Sequence, residues 1–117
     1  MTATPTIDVT AKQPVLLRSD ADGVATLTLN RPQQFNALSA ALLIEFQAAL
    51  DAIADDTAVR GVVIAGAGKA FCAGHDLKEL RAHHDQKFAK DVFERCSRLM
   101  MSLTRLPQPV IARVQGF

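Results

Sequence analysis

An α/β fold, ββα units around a parallel-dominated sheet with helices packed outside, is what this 117-residue sequence predicts. Three observations predict it. Two β-prone runs flank an Asp-Gly turn, which is the signature of a hairpin. The run Gly61-Val62-Val63-Ile64-Ala65 is apolar throughout and has no polar face, as in a strand covered on both sides. Long segments with apolar residues at helical spacing lie before and after that run, so each separates two strands by a crossover rather than a turn.

The elements follow in order. Residues 1–13 are polar and Thr-rich and read as a flexible N-terminal tail. Val15-Leu16-Leu17-Arg18 is the first strand, and Ser19-Asp20-Ala21-Asp22-Gly23 supplies turn chemistry. Val24 to Leu29 is the second strand, stopped by Asn30-Arg31-Pro32 because proline lacks the N–H a ladder needs. Ser39 is a good N-cap, its hydroxyl able to accept from a first-turn N–H. Leu42, Leu43, Phe46, Leu50 and Ile53 then form one apolar stripe, ended by Asp55-Asp56. After the strand at 61–65, Gly66-Ala67-Gly68-Lys69 is a loop. A second amphipathic helix carries Phe88, Val92, Phe93, Cys96, Leu99, Met100 and Leu103. Pro107 and Pro109 end it, and Val110 to Val114 is a further apolar strand, parallel to the one before.

Composition excludes several functions. Hydrophobic residues make up 49% and charged ones 21%, which is the balance of a globular chain. A net charge of +1, from 13 Lys+Arg against 12 Asp+Glu, leaves no electrostatic footprint for nucleic acid and no basic address for a membrane surface. No apolar run approaches the ~20 residues a bilayer span needs. Met1 to Asp8 has neither the basic flank nor the apolar stretch of a secretory signal. Two cysteines, without a CxxC pattern, read as free thiols of a reducing compartment, and the chain reads as cytoplasmic. Because a parallel strand at the C-terminal end is normally followed by a covering helix, the sequence further suggests that the C-terminal part of a larger fold is absent.

Few segments carry chemistry. Gly66-Ala67-Gly68 follows a strand, as a dinucleotide fingerprint does, but Phe71 stands at the third glycine position. A P-loop fails too, with Val63 at its first glycine and Ala70 where Ser or Thr would hold Mg²⁺. His83 and His84 are adjacent, so they do not converge on one metal, and no metal site is expected. No Gly-x-Ser-x-Gly elbow is present. The run from Lys69 to Leu80 is different. Gly74 permits a bend beyond a buried strand, and His75-Asp76 opens a short helix from Leu77 to Arg81. Amides at such a junction are unpaired and can meet a carbonyl oxygen or an anion. The plainer reading is that Asp76 only caps the helix while His75 sits in solvent.

The segment Lys69-Ala70-Phe71-Cys72-Ala73-Gly74-His75-Asp76-Leu77-Lys78-Glu79-Leu80 has Leu29-Asn30-Arg31-Pro32 and Asn36-Ala37-Leu38 upstream and Pro109 to Gly116 downstream. In that order and spacing the three motifs resemble the crotonase (enoyl-CoA hydratase/isomerase) superfamily. The runs Cys72 to Leu80 and Phe93 to Leu103 are most similar to one branch of it. The resemblance implies a crotonase (ClpP/crotonase-like) fold, with 14–117 as the N-terminal half of the domain. It implies an acyl-CoA thioester as substrate, with coenzyme A part of the substrate and no separate cofactor. The carbonyl oxygen of that thioester would lie between two backbone N–H groups that stabilise an enolate. The first matches His75, so its imidazole need not take part. Ala73, Gly74, His75, Asp76, Leu77 and Lys78 would line the coenzyme. Arg31, Gln33, Gln34 and Phe35 would face its nucleotide end, with Arg31 or Lys78 offering charge to phosphates. The second N–H and the acid/base glutamates of the family lie beyond Phe117, and family members form trimers or hexamers. Two other readings stay open: a non-catalytic acyl-CoA-binding or assembly module, and a nucleotide-binding α/β fragment.

Overall fold

A computed structural model describes residues 13–117; the tail expected over 1–13 lies, except for Gln13, outside the described residues. Four strands and three helices follow in the order β1 (Leu16–Ala21), β2 (Val24–Leu29), α1 (Ala40–Ala54), β3 (Gly61–Gly66), α2 (Leu77–Ala82), α3 (Gln86–Arg105) and β4 (Val110–Ala112), with a 3-10 turn at Pro32–Gln34. They form one sheet in the order β1-β2-β3-β4. The first pair is antiparallel and the other two are parallel. The two crossovers, β2-α1-β3 and β3-α2-α3-β4, are what make the sheet parallel.

The hairpin is tighter than the sequence suggests. Ala21 pairs with Val24, so only Asp22 and Gly23 remain in the turn, and Ser19 to Ala21 belong to β1. Both turn residues have positive φ (53° and 80°), the mirror-image turn whose twist matches the flanking strands. Strand β1 is a free edge with most of its length exposed. Arg18 and Asp20, paired at 2.8 Å, put charge on it.

The core lies on one face of the sheet. Ala25, Leu27 and Leu29 of β2 and Val62 and Ile64 of β3 meet Leu42, Leu43, Phe46, Leu50 and Ile53 of α1 and Val92 and Leu99 of α3. Ser39 caps α1 as expected, accepting from Leu42 N–H at 3.2 Å. Gln47 joins α1 to α3 by donating to the Ser102 hydroxyl at 2.8 Å. The expected two-sided burial of β3 is corrected. Val62, Ile64 and Ala65 are buried, but Val63 is only half-buried, because the helices pack against the side that carries Val62 and Ile64. The last strand is shorter than expected, pairing only over Val110–Ala112, and Ile111 and Val114 remain more than 60% exposed (63% and 61%). His83 and His84 are exposed, and the His83 ring stacks on Phe88 at 4.3 Å.

Candidate functional site

The parallel strands β2 and β3 both end at the same edge, and the loops leaving them cross there. The first, residues 30–39, turns through the 3-10 segment into two non-glycine residues in the left-handed region, Phe35 (φ 52°) and Asn36 (φ 58°). Asparagine adopts that conformation more readily than most residues because its short amide bonds nearby backbone. Here Asn36 is fully buried, accepts from Arg31 N–H at 2.8 Å and donates to Ala67 and Ala70 carbonyls at 2.9 and 2.8 Å.

The second loop carries Ala73 to Asp76 alongside the first. Ala73 N–H donates to Phe35 O at 3.0 Å, Leu38 N–H to Gly74 O at 2.7 Å, and Asp76 N–H to Leu38 O at 3.3 Å. These last two bonds define a parallel bridge between Leu38 and His75. In such a bridge one residue uses both its N–H and its C=O, and the residue opposite turns its own groups the other way. Leu38 is the first kind and His75 the second. The His75 N–H is therefore directed away from the loop that holds it, and no acceptor among the described residues takes it. Gly74 makes this bend at φ 94°, a conformation closed to side chains even though the space beside it is open.

Asp76 then caps α2, accepting from Glu79 N–H at 3.1 Å, and its other oxygen takes Arg31 Nη2 at 3.0 Å. The pair is largely buried, at 17% and 12% side-chain exposure. Burial pushes the Asp76 carboxyl up, but the Glu79 N–H, the Arg31 guanidinium and the Lys78 N–H together outweigh it and hold the group below the ordinary carboxylate range. Arg31 spends its Nη1 on Ala37 O at 2.5 Å, so its donors are turned inward to the two loops. Glu79 is engaged as well, accepting from Ala40 N–H at 2.8 Å. Neither carboxylate beside the bend is left unbonded.

The remaining site residues of the sequence reading surround this point. Gln33, Gln34 and Phe35 are exposed on the turn of the first loop, and Leu77 and Lys78 are exposed on the first turn of α2. The His75 imidazole is not in open solvent. It meets the edge of Phe93 on α3 at 4.9 Å, and its Nδ1 is buried without a partner. Between the sheet and the helices, next to Phe71 and Cys72, lies an apolar cavity of about 290 Å³, also lined by Leu29, Leu38, Phe46 and Met100. Cys96 is half-buried; burial and then the neighbouring Cys72 raise its thiol pKa. No cluster of potential metal ligands occurs among the described residues. Glu79 and Asn36 both act here through bonds to distant backbone; the one local signal for Asn36 is asparagine's tolerance of the left-handed region.

A ββα sheet with a strand-end bend of this kind defines a crotonase-fold protein. The sequence profile described as enoyl-CoA hydratase/isomerase matches residues 19–117, and the chain belongs to that family. It is similar to enoyl-CoA hydratase domain-containing protein 3, mitochondrial, of Xenopus laevis (38% identity over 103 residues, 88% of this chain and 35% of that one). The Homo sapiens protein of the same name is also 38% identical, over 81% of this chain and 31% of its own length. That is the branch to which the runs at 72–80 and 93–103 point. Among solved structures, an enoyl-CoA hydratase from Mycobacterium smegmatis is 54% identical with a TM-score of 0.85, over 89% of this chain and 41% of that one. One from Bacillus anthracis is 38% identical with a TM-score of 0.82, over 87% and 40%. The chain thus corresponds to the N-terminal region of crotonase-superfamily proteins and spans about a third of the length of the curated relatives it matches. Family membership overturns the reading as a nucleotide-binding fragment of another fold, and the Gly66–Gly68 loop agrees, since its carbonyls face inward on side-chain amides.

Proposed function

We propose that this chain contributes the thioester-carbonyl site of an enoyl-CoA hydratase/isomerase, with the His75 N–H as one donor of an oxyanion hole. The observation that carries the reading is the bridge between Leu38 and His75, which leaves a rigid, outward N–H without an acceptor. When water adds to the β-carbon of an enoyl thioester, or a base removes an α-proton, an electron pair moves onto the carbonyl oxygen. A fixed N–H aimed at that oxygen gains strength as the charge develops and needs no reorganisation. The apolar cavity beside Phe71 and Cys72 suits an acyl chain, its 290 Å³ lying near the lower end of the range for small-molecule sites. Backbone from Ala73 to Lys78 would border the coenzyme, with Gln33, Gln34 and Phe35 toward its nucleotide end. Lys78, exposed on α2, is the better placed cation for phosphates, because Arg31 is committed to Asp76 and Ala37.

Proton transfer is a separate matter. Asp76 and Glu79 are both held by backbone N–H groups, so the chain supplies binding and charge stabilisation but no free carboxylate at the bend. By itself it should bind without turning over, and its exposed Ile111, Val114 and Phe117 suit association with further protein surface, including other copies. The test is a pair of variants in a protein of the relatives' full length. His75→Ala should leave kcat for crotonyl-CoA within a few-fold, whereas His75→Pro, which deletes the donor, should lower it by about 10²–10³-fold. Equal losses would make the imidazole the working group and overturn the assignment.

A further inference from the structure

Between the end of β3 and His75 the chain has no regular structure, yet a catalytic donor must hold its direction. The carbonyls of Ala67, Gly68 and Ala70 accept no backbone hydrogen bond from the described residues. Two side-chain amides take them instead. Asn36 donates both amide hydrogens, to Ala67 O at 2.9 Å and Ala70 O at 2.8 Å. Gln115, arriving from beyond β4, places Nε2 at 2.6 Å from Gly66 O, 3.1 Å from Gly68 O and 3.4 Å from Ala70 O. Ala70 O is thus shared between a clamp from each side.

The backbone around Gln115 completes the arrangement. Phe71 N–H donates to Gln115 O and Phe117 O at 2.9 and 2.7 Å, and Cys72 N–H to Phe117 O at 3.0 Å. Gly116 makes the approach possible: a Cβ there would lie 2.5 Å from the Lys69 carbonyl oxygen, and its φ is +61°. With Ala73 on Phe35 and Gly74 on Leu38, every residue from Gly66 to Gly74 except Lys69 is hydrogen-bonded to the segment 29–38 or to 115–117.

We propose that Asn36 and Gln115 are positioning residues for the His75 N–H, acting through the Gly66–Ala70 loop. This rests on the oxyanion reading of His75 but makes a claim of its own, that the direction of this donor is set from two distant parts of the sequence. Converging carbonyl oxygens repel one another, and only an interposed pair of N–H donors lets them point inward. Without either amide the loop should open and the donor should wander on the fast timescale.

The experiment uses the ¹⁵N-labelled 117-residue chain, with Gln115→Ala as the main variant and Asn36→Ala as a second. In the wild-type chain without ligand, the His75 amide should have a rigid order parameter of about 0.85. In Gln115→Ala it should fall below about 0.6, while amides of α1 and β2 keep their values. A Gln115→Ala chain that stays folded with an unchanged His75 order parameter would overturn the proposal, as would an equal loss of order throughout the molecule. Crotonyl-CoA separates this from the site reading. If it fails to move the wild-type His75 resonance, the oxyanion assignment fails whatever the order parameters say. If it moves that resonance identically in wild type and in both folded variants, positioning fails and the assignment stands.

Discussion

The loops leaving β2 and β3 run side by side, and they are held in opposite ways. The first is held largely by itself: Gln34 and Asn36 N–H both return to Arg31 O, and Ala37 N–H to Gln34 O. The second is held by others, its carbonyls taken by Asn36 and Gln115 and its N–H groups by Phe35 and Phe117. The difference matters for chemistry. A loop that satisfied its own groups would turn its amides inward, whereas one supported from both sides can leave the His75 N–H free to meet a ligand.

Asn36 is where the two loops depend on each other, so its removal should have the largest effect. Asn36→Ala leaves the carbonyl of Ala67 and the N–H of Arg31 without partners, and Ala70 O with only the long contact from Gln115, around a side chain that is fully buried. At roughly 1–3 kcal/mol for a buried group left unsatisfied, partly relieved by water, a loss of about 3 kcal/mol is expected in urea unfolding. A loss below about 1 kcal/mol would mean that the second loop stands without the first.

A smaller effect, with a pH signature, is expected at Asp76, which joins the loops from the helix side. Its folded pKa lies below the unfolded value, so its contribution is fully present above the ordinary carboxylate range. It is lost as pH falls through the depressed folded value. Hydrogen bonds to a charged group contribute roughly 1.5–3 kcal/mol. Asp76→Asn should therefore cost about 2 kcal/mol at pH 7, and the difference from wild type should shrink as pH falls below about 4. Unfolding midpoints measured from pH 7 to pH 3 check this, and a pH-independent difference would assign the effect to geometry rather than charge.

Legibility in the sequence followed the range of the forces involved. The Ser39 cap, the α1 stripe from Leu42 to Ile53 and the short helix opened by Asp76 are local, and each appears where its residues predict it. The ends of β4 and the half-exposure of Val63 depend on which face the helices cover, and a run of apolar residues carries no information on that. At the site, Gly74 and His75 were legible because a bend needs glycine and a motif marks it. The inward commitment of Arg31 to Asp76, 45 positions away, was not, and neither was the clamp of Gln115, which reaches back 49 residues to Gly66. A free arginine near a phosphate-binding loop and a paired one have the same sequence.

On the reading proposed above, the backbone N–H of His75 meets the thioester oxygen. Titrating the ¹⁵N-labelled chain with crotonyl-CoA, and in parallel with coenzyme A lacking the acyl group, tests it most directly. The claim predicts that crotonyl-CoA moves the His75 amide proton downfield, as a newly formed hydrogen bond does, while free coenzyme A shifts residues 73–78 but leaves that proton in place. An identical His75 shift with both ligands, or none with crotonyl-CoA at saturation, would contradict it.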